Sequence, residues 1–286
     1  MTADALLLDI DGTLYVGDTP IPGAVDTVRA LAEREIPRRY LTNTTRFTRR
    51  MLAGRLRDMG FAIADTEIFT PRLAAARWLA AHHAHHAALY LPDGACEDLA
   101  PFAADSEPAG SPTLATSGSA VTPLAAASTP AASGPGAEPS PPDAVVVGDL
   151  GAAWDFATLN RAFRQLMDGA RLVALQKNRY WLTPEGLALD AGPFVAALEY
   201  ATGRDAVVVG KPSAAFFELA AASLGIDPAR IAVVGDDVET DVAGAQAAGM
   251  TGVLVRTGKF REDTLRNSPI QPDAVLPSIA HVLELL

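Results

Sequence analysis

Only one cysteine, Cys96, occurs in 286 residues, so no disulfide can form within the chain. That scarcity fits a reducing compartment. The amino terminus carries no basic segment followed by a long apolar run, and no apolar stretch is long enough to span a bilayer. Positive charge is also in short supply: 23 Lys and Arg against 34 Asp and Glu give a net charge of −11. Such a balance disfavours nucleic acid and anionic membrane as partners, and an anionic substrate would need a local cation. These absences describe a cytoplasmic protein with no nucleic-acid or membrane partner. What is present is a globular composition, 49% hydrophobic, at a length comfortable for two domains.

Short apolar runs alternate with amphipathic segments along most of the chain, which predicts an α/β fold. The first run, Ala5 to Leu8, is continuous in the way of a strand buried on both faces of a parallel sheet. It ends in Asp9-Ile10-Asp11-Gly12-Thr13. Two carboxylates thus stand at a strand's carboxyl end, where open α/β sheets bind ligands. Crowded carboxylates repel unless a cation or proton lies between them, so the pair suggests a metal or acid/base site. An ordinary Asp-Gly turn would give the same five residues.

Helices are expected over Pro22–Arg34, Arg46–Met59, Arg72–Ala81, Leu159–Met167, Ser213–Leu224 and Glu239–Ala248, the last two closed by Gly225 and Gly249. Further strands are expected at Ala88–Leu91, Ala144–Val147, Leu172–Leu175, Ala206–Val209, Ile231–Val234 and Gly252–Val255. The stretch from about 103 to 142 is mostly Ala, Ser, Pro, Gly and Thr without hydrophobic periodicity, and reads as a flexible surface insertion.

Three more polar groups each follow an apolar run. Thr42-Asn43 can donate to a phosphate oxygen, or can cap a helix beginning near Thr45. Lys211, in Gly210-Lys211-Pro212, offers a compact cation, or is a solvated surface lysine. Asp236, Asp237, Glu239 and Asp241 crowd one strand-to-helix turn. Dipole capping explains one acid there, and hard oxygen ligands for Mg²⁺ explain the cluster better. The ordered set places all four groups at one edge of one parallel sheet.

In that order, the motifs resemble those of the haloacid dehalogenase superfamily of phosphohydrolases, over nearly the whole chain outside the insertion. Leu187–Leu189, Gly192–Val195 and Ala197–Tyr200 resemble the class IIA cap, and Val255–Lys259 its core. The resemblance implies a Rossmann-like core of residues 1–83 and 205–286, with an α/β cap inserted over 84–204. It implies Asp9 as the nucleophile that forms an aspartyl-phosphate, and Asp11 as acid and then base. It also implies Mg²⁺ held by Asp9, the Asp11 carbonyl and Asp236, with Asp241 supporting the metal. Thr42 and the Asn43 backbone would bind the phosphoryl group, and Lys211 would balance charge. The substrate would be a small phosphorylated metabolite, a phosphoamidate or pyrophosphate. A homodimer formed through the cap is implied as well. The competing class is a non-catalytic phosphometabolite-binding or scaffold protein. Candidate cap contacts are Lys177, Asn178, Arg179, Tyr180 and Trp181. His82, His83, His85 and His86 have spacing for zinc, but read better as an exposed hinge.

Overall fold

Six parallel strands form the larger sheet of the computed structural model, which describes residues 3–45, 47–92, 97–103, 141–183 and 186–286. Their order across the sheet is Ala274–Leu276, Thr251–Val255, Ile231–Gly235, Ala5–Asp9, Arg38–Leu41 and Ile68–Phe69. Ala5–Asp9 is central, with Leu6 opposite Ala232 on one side and Arg38 on the other. Its side chains alternate between two cores, which is why the run is continuously apolar. Ala5 and Leu7 join Phe69, Phe216, Phe217 and Val233. Leu6 and Leu8 join Val28, Leu31, Tyr40 and Ile279 on the opposite face. Both layers are helical: Ala24–Glu33 and Arg49–Asp58 cover one, while Pro71–Ala81 and Ala214–Leu224 cover the other.

A second parallel sheet has the order Val207–Val208, Arg171–Ala174, Ala144–Val147 and Ala87–Tyr90. Val145 and Val147 face the helices Phe156–Met167 and Ala191–Thr202, where Trp154 stacks between Tyr90 and Phe194. Ala144 and Val146 face the other way, into the cluster that also holds Leu7 and Phe216. One apolar cluster therefore joins the two sheets, and burial of this kind contributes about 25 cal/mol per Å² of apolar surface. Two small antiparallel hairpins complete the strands: Tyr15–Val16 with Thr19–Pro20, and Tyr180–Thr183 with Gly186–Leu189. Among the described residues no helix is long and apolar enough to cross a membrane.

Several expectations are corrected. Ala206–Val209 is not a strand of the larger sheet: Val207 and Val208 pair with Val173 and Ala174 in the smaller one. The second helix starts at Arg49, not Arg46, because the Thr48 side chain accepts the Met51 N–H at 3.2 Å and caps it there. The helix expected over Glu239–Ala248 is a π-turn, Val238–Val242, followed by Ala243–Ala247. The Ala/Ser/Pro insertion lies outside the described residues except at its ends, and so does Cys96. The histidines form no metal cluster among the described residues. His82 stacks on Trp78 with its Nδ1 2.8 Å from the Trp78 carbonyl, and the backbone N–H groups of His85 and His86 donate to Asp143.

Candidate active site

Asp9 ends the central strand, Asp236 follows its neighbour Ile231–Gly235, and Thr42 follows the neighbour on the other side, Arg38–Leu41. Parallel pairing sets all three at one carboxyl edge. Lys211 arrives differently. It leaves the smaller sheet's Val207–Val208 strand through Gly210, which fits where a Cβ would strike the Leu175 carbonyl. The Asn43 amide then grips the lysine's backbone at both ends: Nδ2 donates to the Lys211 carbonyl at 2.9 Å, and Oδ1 accepts its N–H at 2.8 Å. Lys211 therefore reaches the edge of the larger sheet from a strand of the smaller one, not from a strand of the same sheet.

The lysine's ammonium lies between two carboxylates. It contacts Asp9 Oδ1, and Asp241 Oδ1 at 2.8 Å. Thr13 donates to the other Asp9 oxygen at 3.3 Å. All four charged groups are shielded from water: Asp9 is 6% exposed, Lys211 5%, Asp236 2% and Asp241 1%. Carboxylate oxygens of Asp9, Asp236 and Asp241 lie within 4.8 Å of one another. Burial is the main cause of Asp9's shift up to about 7. Lys211 opposes it, and Asp241 and Asp236 add to it. Burial likewise lifts Asp236 to about 6, against the pull of the Lys259 backbone N–H. Burial would lower Lys211, but Asp241 and Asp9 outweigh it and hold the ammonium above its ordinary range.

Local backbone geometry explains why these acids can be so close. Gly235 has no Cβ because one there would occupy the space of the Asp241 carboxylate. The π-turn carries Asp241 back over that glycine, with Asp237 capping the turn by accepting N–H groups from Glu239 at 2.9 Å and Thr240 at 3.1 Å. Asp236 is enclosed by two glycines in left-handed conformations, Gly12 (φ 89°) and Gly258 (φ 57°). Lys259 N–H donates to it at 2.6 Å, and Thr257 Oγ1 ties the two loops by donating to the Gly12 carbonyl at 2.6 Å.

Of the remaining expected residues, Asp11 is exposed at the mouth of a cleft of about 350 Å³, and Thr42, Asn43, Lys211, Asp236 and Asp241 line the same cleft. The helix-cap alternative for Thr42 falls, since its Oγ1 accepts Thr44 N–H at 3.0 Å while Thr48 does the capping. Among the suggested cap contacts, Asn178 lines the cleft. Lys177 pairs with Glu199 at 2.6 Å, Arg179 is exposed outside the cleft, and Tyr180 lies exposed on its hairpin; the Trp181 side chain lies outside the described residues. Sequence reasoning missed Asp149, Gln176 and Asp190, which also line it. Asp149 had a usable signal, since it stands two residues beyond the apolar Ala144–Val147 run, as other site residues follow theirs.

The chemistry of the donor set can be weighed without any ion. When all three ionise, the buried carboxylates face one buried ammonium, which leaves two negative charges uncompensated. A divalent, oxygen-seeking cation such as Mg²⁺ fits both that charge and those ligands.

Known proteins resemble this chain in sequence and in fold. Residues 6–101 match the haloacid dehalogenase-like hydrolase family, and residues 208–282 match a HAD-hydrolase-like family. The chain is 37% identical over 286 residues to haloacid dehalogenase-like hydrolase domain-containing protein 2 of Bos taurus, covering 99% of this chain and 96% of that one. It is 32% identical to phospholysine phosphohistidine inorganic pyrophosphate phosphatase of Homo sapiens, covering 98% and 93%. Among solved structures, a p-nitrophenyl phosphatase from Archaeoglobus fulgidus superposes with a TM-score of 0.80 at 27% identity, over the full length of both chains. NagD from E. coli K-12, at 23% identity, shares the fold with a TM-score of 0.78 over 98% of each chain. The two family matches carry the two halves of the larger sheet and the site at its edge, and the chain belongs to the haloacid dehalogenase-like hydrolases.

Proposed function

We propose that the protein is a Mg²⁺-dependent phosphohydrolase that works through an aspartyl-phosphate on Asp9. The observation that carries this reading is the position of Asp9. It is buried at the strand end, with one oxygen on Lys211 and the other within reach of Thr13. Such a carboxylate is fixed in orientation, and its charge is balanced on one side only.

In the proposed reaction an Asp9 oxygen attacks phosphorus, and the bond to the leaving group breaks. Asp11, at the water-exposed mouth, gives the leaving atom its proton. A water molecule then attacks the phosphorus of the aspartyl-phosphate and passes a proton back to Asp11, which releases phosphate and restores Asp9. Lys211 holds Asp9 in place and offsets charge on the transferring group, supported by Asp241. Thr42 and the Asn43 backbone line the cleft where phosphoryl oxygens would rest. Mg²⁺ would be held by Asp9, the Asp11 carbonyl and Asp236 beside Asp241, and when bound it neutralises the crowded acids and polarises the phosphoryl oxygens. Relatives named for phospholysine, phosphohistidine and pyrophosphate keep phosphoamidates and pyrophosphate open beside small phosphate esters.

The test is release of para-nitrophenol from para-nitrophenyl phosphate with and without Mg²⁺. Turnover is expected only with the ion, and Asp9→Ala is expected to lower it on the order of 10⁴-fold. No Mg²⁺-dependent release would leave a phosphometabolite-binding protein. An Asp9→Ala variant as fast as the parent would remove the nucleophile from the scheme.

A further inference from the structure

The loop between Arg38–Leu41 and the helix Arg49–Asp58 brings Thr42, Asn43, Thr44 and Thr45 to the cleft. These four residues are polar, with little apolar surface to pack, so the shape of the loop is set by the bonds made to it. Thr42 Oγ1 accepts the Thr44 N–H at 3.0 Å, and Asn43 ties the first part of the loop to Lys211. The later part is held by a buried cation that the reaction scheme does not use.

That cation is Arg72. It stands in the first turn of Pro71–Ala81, the helix after Ile68–Phe69, and that strand pairs in parallel with Arg38–Leu41. The start of the helix therefore shares the carboxyl edge from which the loop departs. Arg72 is 1% exposed, and it does not itself line the cleft. Its guanidinium donates through Nη1 to the Thr45 carbonyl at 2.9 Å, and through Nη2 to the Phe47 carbonyl.

Loss of water and the partial positive charge of a helix amino end both weigh against a cation there, unless acceptors hold it. The carbonyls of Thr45 and Phe47 are two such acceptors. What the guanidinium brings to them is geometry. Its N–H groups form a rigid planar fork that can grip two carbonyls two residues apart, whereas an ammonium on a flexible stem has no fixed fork. One gripped residue is anchored and the other is functional. Phe47 packs against the core beneath the loop, while Thr45 is buried with its side chain at the cleft.

Resting on the phosphohydrolase reading above, we propose that Arg72 is a positioning residue for the transferring phosphoryl group. It acts through the Thr45 and Phe47 carbonyls, which set the curve of the loop on which phosphoryl oxygens rest. Because the phosphoryl group is common to every substrate, loss of the fork affects all esters alike, whatever their leaving group. Inorganic phosphate, the product, is affected too.

Arg72→Lys keeps the charge and loses the fork, and Arg72→Met loses both. The Mg²⁺-loaded full chain is assayed with para-nitrophenyl phosphate and 2-hydroxyethyl phosphate, with inorganic phosphate as inhibitor. In Arg72→Lys, both KM values and the phosphate inhibition constant are expected to rise together about tenfold, with kcat changed less than about threefold. Arg72→Met should show rises at least as large, and either variant decides the matter if the other does not fold. A merely structural role lowers kcat through the folded fraction and leaves KM and the inhibition constant unmoved. That pattern, no change at all, or a KM rise confined to one ester would overturn this inference alone. Failure of both variants to fold would overturn it as well, by making Arg72 a residue of the fold and not of the site. No release from either ester by the parent protein would take down the phosphohydrolase reading, and this inference with it.

Discussion

At Lys211 one ammonium serves two carboxylates, and substitution can separate what each contributes. Asp9 carries the reaction in the proposed scheme, while Asp241 holds the lysine from behind at 2.8 Å. Asp241→Asn keeps an oxygen for the ammonium but removes the charge, so Lys211 is drawn further onto Asp9 and competes with the incoming phosphoryl group. We expect kcat/KM to fall about a hundredfold, the range seen when one electrostatic stabiliser is lost. Asp237→Asn is the comparison: that side chain caps the π-turn from one residue beyond Asp236, and its loss should change kcat/KM less than tenfold. Equal effects in the two variants, measured by steady-state kinetics, would mean that Asp241 has no privileged part. At this scale much was legible. Asp9 and Asp236 each follow a continuous apolar run, and a carboxylate at such a strand end is visible in any sequence. Gln176 and Asp190 were not, because a lone amide in a loop and a helix-capping Asp look the same whether or not they face a cleft.

Elements decide whether those residues meet. The Asn43 side chain bridges the loop after Arg38–Leu41 to the segment that returns from the smaller sheet, through a reciprocal pair of bonds to Lys211. Two part-buried hydrogen bonds contribute roughly 1 kcal/mol each to stability. Asn43→Ala should therefore cost about 2 kcal/mol, and it should also free the lysine's backbone. The expectation is a melting point lower by about 4–8 °C together with a fall in kcat of about tenfold or more. A lower melting point with kcat intact would show that the clamp serves the fold and not the site. The sequence marked Asn43 as polar and placed at a strand end, but gave no sign that its partner lay 168 residues away. The π-turn was hidden for a related reason. Residues 238–248 carry ordinary helical composition, and the extra residue in the turn is imposed by packing Asp241 over Gly235.

On the scale of the whole molecule, hydrophobic pattern named the class of fold and left sheet membership open. Val207–Val209 is as apolar as any run of the larger sheet, and burial on both faces is all that such a run can announce. Which sheet it joins depends on Val173 and Ala174, which no local signal specifies. The molecule's response to pH depends in turn on the acids gathered at the shared edge. Asp9 and Asp236 are raised from 3.8 to about 7 and about 6, chiefly by burial, so between about pH 4 and 7 the folded state binds more protons than the unfolded chain. Metal-free stability from these two groups therefore falls as pH rises through that window and is fully lost above it. A divalent ion takes the place of the missing protons, so its stabilisation should grow with pH over the same range. At a hundred times its dissociation constant, Mg²⁺ should raise the melting temperature by about 5–10 °C at pH 8. The same concentration at pH 5 should give a clearly smaller rise. Thermal melts in chelator and in Mg²⁺ at pH 5, 6.5 and 8 measure the difference, and an increment that stayed level or shrank toward pH 8 would separate the ion from Asp9 and Asp236.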